Sequence, residues 1–157
     1  MRLTRQSNYA IRTLVYCAVN APELSRIADI ARAHNISELF LFKLIKPLVE
    51  NGLIETVRGR KGGIRLGRPA AEITLLDTIK LTEENFAMAE CFEGGSDVAC
   101  PVADNCDLNS ALREALGAFF DVLESYTIAD LADKRRFLRQ RLGLVMELEE
   151  PAELTQH

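Results

Sequence analysis

Between Leu53 and Gly67 the chain reads LIETV, then RGRKGG, then IRLG. No other stretch limits the possible folds so tightly. Two short β-prone runs flank a glycine-rich tip, and a tip of that composition turns the chain back on itself as a hairpin. The tip carries four cations: Arg58, Arg60, Lys61 and Arg65. So short a string is often only a solvated turn, so its meaning depends on what precedes it.

What precedes it is helical. Leu3, Ala10, Ile11, Leu14, Val15 and Ala18 recur at helical spacing and predict an amphipathic helix over about residues 4–20, ended by Pro22. Ser25 is placed to cap a short helix, RIADIARAH, and Ser37 to cap a third, ELFLFKLIKPLVEN, stopped at Gly52. A short helix, a tight turn and a second helix make a helix-turn-helix. With the basic hairpin behind them, the three helices describe a winged helix-turn-helix, the hairpin being the wing.

That assignment points to DNA. The third helix would enter the major groove, where each base pair shows a distinct pattern of donors and acceptors. Phe40, Leu41, Leu44, Ile45 and Leu48 are expected inside. The opposite face, beginning at the Ser37 cap, presents Glu38, Leu39, Phe42 and Lys43. Phe42 fits a thymine methyl and fits a core position equally well. Arg58, Arg60 and Lys61 would reach phosphates or a narrow minor groove. Pro47 removes one backbone hydrogen bond and should kink the helix. Charge agrees with this division of labour: residues 1–70 hold 12 Lys/Arg against 5 Asp/Glu, a balance of +7, whereas residues 71–157 hold 7 against 18, a balance of −11. A basic half joined to an acidic half suits a chain of which one part meets a polyanion.

In the acidic half, Thr74 caps an expected connecting helix. Leu108, Ala111, Leu112, Ala115, Leu116, Phe119, Leu123 and Tyr126 then form one apolar stripe on a helix of about five turns. A small winged helix has little surface to cover so long a stripe, which favours a dimerisation helix and a homodimer. Thr127 is placed to cap a final helix, TIADLADKRRFLRQRLG. The expected architecture is mainly α: a winged helix-turn-helix over 1–80, a cysteine loop and dimerisation helix over 81–145, and an acidic tail over 146–157.

Between the two helices lies AECFEGGSDVACPVADNC, with Cys91, Cys100 and Cys106 at C-x8-C-x5-C spacing. Three thiolates on one loop can hold a soft metal centre. The spacing is too loose for a zinc finger and is not that of a C-x-x-C redox pair. Cys17 stands among apolar residues and is expected to be a buried small hydrophobe. No apolar run approaches the length of a membrane span, and the N-terminus lacks the pattern of a signal peptide, so a cytoplasmic location without membrane is expected. A thiol enzyme would need a base beside its nucleophile. The histidines are His34, in the helix-turn-helix, and His157, at the end of the chain, so no enzyme is expected.

The opening MRLT, the strings SELFLFK and ETVRGRKGGIRLG, the three-cysteine loop and the long helix together resemble the Rrf-type iron–sulfur winged-helix transcription regulators, and among them the rhizobial iron regulators most. The resemblance spans roughly residues 1–130. It implies a homodimeric repressor of a double-stranded DNA operator, carrying an iron–sulfur cluster, 4Fe–4S rather than 2Fe–2S, on Cys91, Cys100 and Cys106. It further implies that the third helix and Arg58 touch DNA. Two positions depart from the family pattern. Asn109 stands where some members carry a histidine ligand, and Asn8 where others donate an aspartate from the partner subunit. The fourth ligand is left open among Asn8, Asp97, Asp104, Asp107, water and a small thiol. The expected function is iron-responsive repression, with operator binding lost as the cluster loses iron. A nitric-oxide or redox sensor and a structural zinc site are the alternatives.

Overall fold

The computed structural model describes residues 2–89 and 106–144. Cys91, Asp97, Cys100 and Asp104 lie outside them. The first helix, α1, spans Arg5–Asn20 and starts at Thr4, whose hydroxyl accepts the Ser7 N–H. Leu3, assigned to this helix by periodicity, precedes the cap and is exposed. Ala10, Leu14 and Cys17 turn one face of α1 into the core.

The helix-turn-helix comprises α2 (Ile27–His34) and α3 (Glu38–Glu50). Asn35 takes the left-handed conformation between them, and the Ile36 N–H closes on the Ala31 carbonyl at 3.0 Å. Asparagine tolerates that conformation better than most residues, which allows so tight a turn. Leu41, Leu44, Ile45 and Leu48 are buried as expected, and Phe40 is half-buried. Pro47 does not end the helix. The bond it omits is the one to the carbonyl of Lys43, a solvent-facing residue, and α3 runs on to Glu50.

The wing pairs β1 (Ile54–Val57) with β2 (Gly63–Leu66) in antiparallel register, Ile54 opposite Leu66 and Val57 opposite Gly63. Ile54 and Ile64 enter the core, while Glu55 and Arg65 face solvent as an ion pair at 2.9 Å. Arg65 therefore belongs to the strand, and the tip has three cations rather than four. Gly59 has φ +117°, which a side chain would strain. A Cβ on Gly63 would sit 2.7 Å from the Ser25 carbonyl oxygen. That close approach lets Ser25 pair with Ile64 through two backbone bonds of 2.9 Å. Ser25 was expected to cap α2. Two strand-type bonds hold it to the wing instead, and Arg26 takes the cap position without a side-chain bond.

After a 3-10 turn at Ala70–Glu72 comes α4 (Leu75–Thr82), opened by a capping box in which Thr74 and Asp77 satisfy each other's backbone N–H groups. The long helix α5 spans Asp107–Ser125. The single final helix expected from the sequence is two: α6 (Ile128–Ala132) and α7 (Arg135–Arg141). The break has a physical cause. Ile128 is fully buried in the same core as Leu14 and Leu41, and its N–H bonds the Ile73 carbonyl at 2.8 Å. Arg135 and Arg139 meanwhile reach the Val19 carbonyl at the end of α1, at 3.1 Å each. The chain leaves helical geometry at Lys134, with ψ +49°, between these two attachments.

Candidate nucleic-acid interface and cysteine-loop flank

The outer face of α3 is built by its cap. The Ser37 hydroxyl accepts the Phe40 N–H at 3.2 Å and so fixes which residues turn outward. Glu38, Leu39, Phe42 and Lys43 are all exposed, Leu39 at 68% and Phe42 at 54%. For Phe42 the exposed alternative is the one observed. Two large apolar side chains in water between a carboxylate and an ammonium make a surface suited to a partner offering both methyl groups and polar edges. At the wing tip, Arg58, Arg60 and Lys61 are exposed and make no ion pair among the described residues, whereas Arg65 is neutralised by Glu55. The two features follow each other along one framework, because the core residues Leu48 of α3 and Leu53 beside β1 are joined by the Leu53 N–H to the Leu48 carbonyl at 2.9 Å.

A second structural feature lies where the cysteine segment begins. The Glu83 carboxylate, at the end of α4, accepts the Thr4 N–H at 2.7 Å and the Ser7 hydroxyl. The Ser7 and Thr82 hydroxyls, both buried, lie 2.7 Å apart. Burial acts to raise the Glu83 pKa, but the bonds from Ser7 and Thr4 outweigh it and hold it below the ordinary value. A carboxylate at the start of α1 also meets the positive end of that helix. Three residues on, Phe86 packs edge-on against Phe120 of α5 at 4.9 Å. The chain entering the cysteine segment is thus fastened to both α1 and α5.

It leaves that segment at Cys106, the N-cap of α5, which is half-buried. The Asn109 N–H points at its Sγ at 3.4 Å, and the Asn109 side-chain oxygen accepts from Arg113 at 2.6 Å. A sulfur at a helix N-terminus, met by a backbone N–H, has the outer-shell support that thiolate ligands use. Asp107 and Asn8 are exposed. Cys91, Cys100, Asp97 and Asp104 lie outside the described residues, and the described ones alone bring no three metal-ligating side chains together. The donor chemistry nonetheless fits a soft iron centre: Cys106 is accessible and supported, and two further thiols follow from the sequence.

Two other residues are placed away from this chemistry. Cys17 is buried, and burial pushes its thiol up to about 12. His34 stands edge-on to Tyr16 with a buried Nε2 that has no hydrogen-bond partner among the described residues; burial, together with the Arg12 guanidinium, lowers its pKa. Glu83, Ser7, Arg135 and Arg139 were not anticipated. Each acts through a contact more than seventy residues away in sequence, and no local pattern announces such a bond.

No helix among the described residues is long and apolar enough to cross a membrane. The family model for Rrf2, described as an iron-dependent transcriptional regulator, matches residues 3–134. The chain is 59% identical over 151 residues to protein aau3 of Rhizobium meliloti (strain 1021), covering 96% of this chain and 95% of that one. It is 46% identical over 145 residues to the HTH-type transcriptional regulator NsrR of Geobacillus kaustophilus, covering 90% and 97%. Among solved structures, oxidised CymR of Staphylococcus aureus superposes with a TM-score of 0.67 at 29% identity, over 85% of this chain and 97% of that one. T. potens IscR, at 23% identity, shares the fold with a TM-score of 0.66 over 85% and 87%. With its winged helix, its exposed α3 face and its basic wing, the chain belongs to the Rrf2 family of DNA-binding transcriptional regulators, and not to an enzyme family.

Proposed function

We propose that this chain is an iron-responsive repressor, a homodimer that binds a double-stranded operator and carries a 4Fe–4S cluster on Cys91, Cys100 and Cys106. The observation that carries the reading is the position of Cys106. It opens α5 with a backbone N–H directed at its sulfur, while the other end of the cysteine segment is tied by Glu83 to the first turn of α1. When bound, the cluster would supply a centre whose occupancy follows free iron. The protein's part is to offer the sulfurs and to couple their arrangement to α1. Asn8, Asp97, Asp104 and Asp107 are the candidates for a fourth ligand.

Ser37, Glu38, Leu39, Phe42 and Lys43 would face the major groove, and Arg58, Arg60 and Lys61 the phosphates beside it. The dimer is supported by α5. None of its residues is buried, and Leu108, Val122 and Tyr126 are more than half exposed. Such an apolar stripe is covered when two chains meet along it.

The test is anaerobic purification with iron, sulfide and zinc counted, followed by gel shifts with and without a chelator. Iron with sulfide, visible absorption, and operator affinity lost on chelation alone support the reading. A colourless protein holding zinc, or a cluster that survives chelation and releases DNA only on exposure to nitric oxide, would replace it with one of the alternatives.

A further inference from the structure

A cleft of about 910 Å3 opens between the end of α1, the outer side of α2 and the helix α7. Its walls carry Arg32, Arg135, Arg139 and Arg141 against Glu23 and Asp29. Arg32 is taken up by Asp29 at 3.1 Å. The other three arginines make no ion pair among the described residues. Arg135 and Arg139 instead both donate to one oxygen, the Val19 carbonyl, at 3.1 Å each, and Arg135 also reaches the Ala21 carbonyl. Two donor nitrogens that share an acceptor lie at most twice that distance apart, so two like charges are held side by side. The carbonyls at a helix C-terminus offset this only in part, since they carry partial charges.

The remaining geometry favours a ligand over a solvated face. Bonds to α1 restrain Arg135 and Arg139, so little side-chain freedom is left to lose on binding. Arg141 is stacked on Phe137 with its guanidinium carbon 5.3 Å from the ring centre. Tyr16 and Asn20 complete the wall with polar groups. Fixed, planar guanidiniums around an open cleft, with no carboxylate of the described residues paired to them, are the arrangement that recognises planar oxyanions.

We propose that this cleft is a binding site for a carboxylate ligand, held by the unpaired N–H groups of Arg135, Arg139 and Arg141. None of the residues lining it is a proposed cluster ligand. Carboxylates could reach it from two sources: a free small acid, or the chain's own Glu147, Glu149, Glu150 and Glu153, which follow Leu144 at the rim of the cleft.

Citrate is the probe, titrated calorimetrically into the full chain at constant ionic strength and compared with chloride. Three further full-length chains complete the set: Arg139→Gln; Arg141→Gln, which disturbs no bond to α1; and a chain with the four tail glutamates changed to glutamine. Saturable binding of one citrate per chain, weakened about tenfold or more by either arginine change, supports a site for a free carboxylate. Binding seen only in the tail-neutralised chain, and again weakened by Arg141→Gln, supports the site with the tail as its occupant. No saturable binding in either background, or binding indifferent to both arginine changes, overturns it. Circular dichroism checks each fold, and Arg141→Gln carries the reading if Arg139→Gln does not fold.

Discussion

Neutralising the wing tip tests the DNA interface where the structure allows a magnitude to be worked out. Arg58, Arg60 and Lys61 are exposed and unpaired among the described residues, so changing all three to glutamine should alter stability by no more than about 0.5 kcal/mol per site. If each meets a phosphate, three counterions per wing are released on binding. The plot of log affinity against log salt should then lose about 2.7 units of slope per wing. Between 50 and 200 mM salt, that difference amounts to about 40-fold for one wing. Fluorescence anisotropy with a labelled operator, repeated across that range, measures the slope directly. Arg65→Gln is the internal control: its guanidinium is committed to Glu55 at 2.9 Å, so its removal should barely change the slope. An unchanged slope in the triple variant, or an equal change from Arg65→Gln, would refute the assignment of the wing tip to the phosphate backbone.

Three further outcomes are expected. Leu116→Glu, at a half-buried position of the apolar stripe of α5, should give monomers or insoluble protein; a soluble dimer by light scattering would mean that the stripe serves its own chain. Ile128→Ala should cost about 2–5 kcal/mol in denaturant unfolding, because its side chain is fully buried in the winged-helix core; a loss below about 1 kcal/mol would mean that α6 is not part of that core. Cys17, buried and with its thiol pushed up to about 12, should resist iodoacetamide at neutral pH in the folded protein and react on unfolding. Labelling of Cys17 at the rate of a free thiol would contradict its placement.

Much of the fold was legible because its signals are local. The Ser37 and Thr74 caps, the glycine-rich tip and the inner face of α3 are each encoded within a few residues, and each stands where the sequence indicated. The departures are tertiary. Ser25 has the right identity for a cap, but its backbone faces Ile64 almost forty residues away, and two ladder bonds outweigh one side-chain bond. The last helix has unbroken helical composition. It is divided because Ile128 and Arg135 answer to different targets, the core and the end of α1. Of the candidate site, the outward set on α3 follows from helical period alone. Glu83 could not be read in the same way, since a carboxylate after a threonine has no meaning until α1 lies beside it.

The packing of α1 gives the proposed reading a physical route. Glu83 holds its first turn, the core holds its middle, and Arg135 and Arg139 hold its last carbonyls. One turn beyond the Glu83 contact, Tyr9 meets Phe40 of α3 edge-on at 5.8 Å, with the Arg5 guanidinium 5.9 Å from the Phe40 ring. A shift of the chain entering the cysteine segment would act first on Thr4 and Ser7. A helix moves as a rigid element, so Tyr9 and then the start of α3 would follow. The wing is joined both to α3, through Leu48 and Leu53, and to the segment after α1, through Ser25 and Ile64. On the proposed reading, loss of a cluster would act on α3 first and reach the wing only through its attachments to α3 and to the segment after α1. Base-specific contacts would then weaken before the salt-dependent phosphate contacts, and the chain released from its operator would retain the non-specific affinity of its basic half.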